Sequence, residues 1–71
     1  MIKTIQIGRK VSTEANSWEI LKQEMKNSCF VKDFRSDYDS ITFECEDEDL
    51  LIVGFGIGKY DVVVKEEKKN E

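Results

Sequence analysis

Histidine is absent from the 71 residues, and with it go the commonest general base at neutral pH and every Ser-His or Cys-His nucleophile arrangement. A carboxylate pair could still do acid-base work, but so short a chain has little room to enclose a substrate pocket beside a core. No catalytic residue is assigned, and the chain is not read as an enzyme. The same absence argues against zinc, because the only cysteines, Cys29 and Cys45, lie sixteen apart with no C-x-x-C. Two cysteines also fall short of the four to eight of a small secreted disulfide scaffold, so a reduced cytosol is the expected setting. Both sit at apolar positions of their elements and are expected to act as small buried hydrophobes.

Long apolar runs are missing too. No segment reaches the length needed to cross a bilayer. The first apolar stretch is broken by Lys3 and Gln6 and ends at Gly8, unlike a signal peptide. The expectation is a soluble, cytoplasmic protein with no membrane contact. Gly54, Gly56 and Gly58 follow an apolar stretch, but G-x-G-x-G is not the dinucleotide fingerprint, and Walker A spacing is absent. Backbone freedom at a hairpin and a bulge at Gly54 are the expected roles. Asp37 and Asp39 run straight into an apolar strand at Ile41 without the glycine and distal glutamate of a calcium loop. No metal and no cofactor are expected.

What remains is enough for one core and no more. Ile2 to Ile7 is predicted as a first strand, ended by Gly8. A polar connection leads to Asn16, a candidate N-cap with Glu19 three residues on in capping-box spacing. Trp18, Leu21, Met25 and Cys29 recur at helical spacing from Ser17 to about Ser28. Phe30 to Phe34 is predicted as a short strand, with Phe30 and Phe34 on one face, and Ser36 to Asp39 as a turn. Ile41, Phe43 and Cys45 alternate with Thr42, Glu44 and Glu46, the cleanest period-two pattern in the chain. After the acidic turn Asp47, Glu48, Asp49, the run Leu50 to Phe55 is apolar on both faces and is predicted as a central strand. A turn at Gly56 to Gly58 then gives a last strand, Tyr60 to Lys65. The predicted fold class is α+β: a single domain over residues 1–64, one helix packed on a mainly antiparallel sheet of four or five strands (β-α-β-β-β-β), and a charged tail over 65–71.

Charge is segregated beneath a net of −4. Residues 1–32 carry six basic groups against three acidic ones, and residues 33–64 two against nine. An acidic hairpin surface of Asp37, Asp39, Glu44, Glu46, Asp47, Glu48, Asp49 and Asp61 is the candidate partner-binding site. It suits a small protein-binding module that docks on a basic protein, an inhibitor or adaptor of the kind phages and mobile elements use, with carboxylates standing in for phosphates where that partner binds nucleic acid. The aromatics are assigned to the core and the acidic half repels phosphates, so direct nucleic-acid binding is not expected. The alternative is a self-associating structural or assembly subunit, since a thin core gains from a homo-oligomer. Ile20, which falls off the apolar face of the helix, is the candidate contact.

Overall fold

The computed structural model describes residues 1–68. The elements follow in the order β1 (Ile2–Arg9), α1 (Ala15–Asn27), β2 (Lys32–Ser36), β3 (Ser40–Glu46), a turn of 3-10 helix (Asp47–Asp49), α2 (Leu50–Ile57) and β4 (Val62–Lys68). The four strands form one sheet in the order β2-β3-β1-β4, with every neighbouring pair antiparallel. The domain is thus α+β with an antiparallel sheet, and its β-α-β-β-α-β order is that of the split βαβ, ferredoxin-like arrangement.

Alternation along β3 sets the two faces of that sheet. Ile41, Phe43 and Cys45 are fully buried and lie opposite Ile7, Ile5 and Lys3 of β1. Trp18, Leu21 and Met25 of α1 and Val53 and Ile57 of α2 complete the core on this inner face. Phe30, Val31, Phe34, Leu50, Tyr60 and Val62 pack around it, each partly buried. The outer face carries Thr4, Gln6 and Gly8 opposite Glu44, Thr42 and Ser40, with Lys32 and Arg35 of β2 beside them. No helix covers it.

The predicted central strand over Leu50 to Phe55 is a helix, and the connectivity explains why. β3 and β4 both run antiparallel to β1, one on each side of it, so they are parallel to each other. A hairpin cannot join parallel strands; a crossover of a dozen or more residues is required. Residues 47–61 are that crossover, and α2 is its helix. Gly54 and Gly56 accordingly lie inside α2 and form neither a bulge nor a hairpin turn, while Gly58 sits in the turn that ends the helix, closed by the Tyr60 amide donating to the Ile57 carbonyl at 3.0 Å. None of the three has a positive φ, and the Gly58 amide donates to the Gly54 carbonyl at 2.9 Å as α2 ends.

Smaller differences arise at the element ends. α1 starts at Ala15 with Glu14 at the N-cap, and the Asn16–Glu19 capping box does not form. The preceding loop is held elsewhere: the Lys10 amide donates to Thr13 Oγ1 at 3.0 Å, and the Thr13 hydroxyl donates to the Asp61 carbonyl. Because α1 ends at Asn27, the spacing that buries Trp18, Leu21 and Met25 does not extend to Cys29, which is exposed. β2 begins two residues later than predicted, leaving Phe30 in the connection, and carries an irregularity at Asp33 (φ 53°). β4 continues to Lys68, into the segment assigned to the tail. Residues 69–71 of that segment lie outside the described residues.

Candidate protein-binding surface

α2 is built from LLIVGFGI, eight residues without a polar side chain. Helical spacing can turn only part of such a segment inward. Val53 and Ile57, four apart, are the buried pair. Leu51 and Phe55, also four apart, remain 71% and 72% exposed, and Ile52 is exposed beside them. Between α2 and β4 runs a groove whose centre is Gly54, where a Cβ would meet nothing within 4 Å. One end is lined by Leu50, Leu51, Phe55, Asp47 and Glu66, and the other by Ile57, Tyr60, Val62 and Val64. The surface is apolar and shallow, with carboxylates where the helix begins.

Those carboxylates differ in how far they are neutralised. Lys3 reaches Asp47 at 3.0 Å and Glu66 at 3.6 Å, and the bond to Asp47 foremost raises its pKa. Glu46 faces the Met1 amino group at 3.5 Å and Lys32 at 3.8 Å. Glu48 and Asp49 have no cation at ion-pair distance among the described residues. They sit in the 3-10 turn that leads into α2, where negative charge is favourable to a helix N-terminus.

The eight acidic residues singled out in the sequence do not form one patch. β3 carries the chain from one end of the sheet to the other, a distance of about 20 Å for seven residues. Asp37 and Asp39 lie at the β2–β3 turn; Glu46, Asp47, Glu48 and Asp49 lie at the far end; Glu44 lies between them on the outer face, opposite Thr4 and Lys32. Asp61 precedes β4 near the turn end, where its carboxylate accepts from the Ser12 hydroxyl and from Lys10 Nζ, the latter at 3.0 Å. The Ser12 bond and then the Lys10 charge hold its pKa below the ordinary aspartate value. Ile20 is exposed on α1, on the side away from the sheet, among Glu19, Gln23, Glu24 and Asn27.

Sequence reasoning missed Leu51, Ile52 and Phe55 because a strand covered on both faces would bury them. The available signal was that this thin core has too few partners for a wholly apolar segment. Two other features bear on chemistry. Cys45 is buried, with its thiol pKa raised by burial first and by Asp49 and Glu46 next. Tyr60 donates to Glu24, which raises its pKa. No group of three or more metal-ligating side chains is found among the described residues, and no helix among them is long and apolar enough to cross a membrane. None of the family models, curated proteins or solved structures compared with the chain matches it.

Proposed function

We propose that this protein is a small, non-enzymatic binding module, an inhibitor or adaptor, that docks on a basic protein partner in a reducing, cytoplasmic setting. Its contact centre is the exposed side of α2, with Glu48 and Asp49 at the rim. The observation that supports the reading is the juxtaposition of Leu51, Ile52 and Phe55 with carboxylates that no described cation neutralises. Leaving Leu51 and Phe55 in water forgoes about 1.5–3 kcal/mol each of burial free energy, which a partner would recover. An apolar centre with a polar rim is the usual anatomy of an interface, and the acidic rim would speed encounter with a basic surface.

The fold alone favours no function, since split βαβ domains host many. An RNA-binding use would stack bases on aromatics of the sheet. Here the outer face presents Thr4, Gln6, Ser40, Thr42 and Glu44, so stacking finds no platform there. The test is capture from host extract by immobilised protein at low and high salt. Glu48→Gln/Asp49→Asn and Leu51→Lys/Phe55→Lys should each reduce capture of a basic protein at least tenfold while Trp18 fluorescence stays native. Capture indifferent to both variants would refute the assignment of the surface.

A further inference from the structure

β4 is an edge strand: β1 pairs with one side of it, and no described strand pairs with the other. An uncovered edge is a template for another strand, and proteins commonly blunt it with charge or proline. Proline is absent from this chain, and the edge opens with three consecutive valines. Val63 and Val64 are 41% and 45% exposed, one on each face of the sheet.

The segment Asp61-Val62-Val63-Val64-Lys65 is its own complement when read antiparallel. Residues directly opposite in an antiparallel pair share a face, so a two-fold axis through Val63 sets Val63 against Val63 of the second copy and Val62 against Val64. It also sets Asp61 against Lys65 at both ends. Shifting the axis to Lys65 would oppose two lysines, and shifting it to Glu66 would oppose two glutamates; only the Val63 register is favourable in both charge and apolarity. Lys65 has no carboxylate at ion-pair distance among the described residues, and the Asp61 carboxylate, though held by Ser12 and Lys10, keeps acceptor capacity.

We infer that two copies of this chain pair through β4 in the Val63 register, joining their sheets into one of eight strands. Because the axis is perpendicular to the sheet, both α2 helices lie on the same side of the joined sheet and flank the seam. This goes beyond the docking reading and does not depend on it, since the partner-binding carboxylates Glu48 and Asp49 take no part in the seam.

Sedimentation velocity across a broad range of concentrations tests the pairing. The wild type should pass from the 8.3 kDa chain mass to twice that value as concentration rises. Lys65→Asp, which opposes two pairs of aspartates, should raise the dissociation constant about tenfold. Asp61→Lys/Lys65→Asp should restore dimerisation, because the swapped charges again meet across the axis. Any loss of the Lys10 contact occurs equally in Asp61→Lys alone and in the double variant, so recovery reports the seam. A wild type that stays monomeric at the highest concentration overturns the inference. So does a dimer indifferent to Lys65→Asp, or a swap that fails to recover while circular dichroism remains native. Glu48→Gln/Asp49→Asn should leave the mass unchanged while reducing partner capture, which keeps failure of the two readings apart.

Discussion

Replacing the glycines of residues 54–58 by alanine separates a helix from a strand and turn in this segment. In a helix, glycine costs about 0.5–1 kcal/mol relative to alanine, because its backbone loses more freedom on folding. Gly54 has nothing within 4 Å of a built Cβ, and at Gly56 the nearest atom is the Met25 methyl at 3.9 Å, an ordinary contact. Gly54→Ala and Gly56→Ala should therefore each stabilise by about 0.5–1 kcal/mol, raising Tm by about 2–8 °C in a domain of this size. At Gly58 a Cβ would stand 3.3 Å from the Gly54 carbonyl oxygen, a backbone atom that cannot easily give way. Gly58→Ala should gain nothing or lose stability. Thermal melts followed at 222 nm, with urea titrations as a check on two-state behaviour, read the series. A bulge at Gly54 and a tight turn at Gly56 to Gly58 would predict losses at all three sites, so a fall in Tm for Gly54→Ala and Gly56→Ala would refute the helix.

Other perturbations test the core and the titrating groups. With a thiol reagent at neutral pH, Cys29 should react at once and Cys45 only on unfolding, since it is buried with a raised pKa; two fast thiols would contradict the placement of β3. Asp61 has a folded pKa below its unfolded value, so its contribution is fully present above about pH 4 and is lost as pH falls through the folded value. Asp61→Asn should therefore lie below the wild type in stability at neutral pH, with the gap closing in acid; a gap that widens on acidification would count against the Ser12 and Lys10 bonds. Phe43→Ala removes a fully buried ring and should cost about 3–5 kcal/mol, enough to unfold much of a domain this small. Tyr38→Ala, at an exposed turn position, should change stability by less than about 0.5 kcal/mol.

How much of this fold is legible in the sequence depends on whether a segment has one wet face. β3 does: Thr42, Glu44 and Glu46 alternate with a buried triad, and its extent and buried face follow from that pattern, whereas its pairing with β1 does not. α1 does as well, through Trp18, Leu21 and Met25, although Cys29 extends the spacing past the point where the backbone leaves the helix. Leu50 to Ile57 has no polar residue to mark a face, so period two and period 3.6 fit it equally. Its helicity is set by topology instead. β4 must lie beyond β1 and parallel to β3, and that demand acts between elements far apart in sequence, where local patterning carries no information.

The same distinction governs the candidate site. Asp47, Glu48 and Asp49 are conspicuous in the sequence as charge, yet in the fold they are also the lead-in turn of α2, where each carboxylate can stabilise the helix by about 0.3–1 kcal/mol. Neutralising them thus acts on two quantities at once. Asp47 is the least suitable probe, because Lys3 and the Met1 carbonyl hold it through its side chain and amide. Glu48→Gln/Asp49→Asn keeps the side-chain shape while removing charge, so a fall of about 0.6–2 kcal/mol in stability is expected from the helix alone. If capture of a basic partner fell only in proportion to the unfolded fraction, these carboxylates would serve α2 and nothing else. A fall in capture with the folded population unchanged, and weaker salt dependence of what remains, would assign them to the interface.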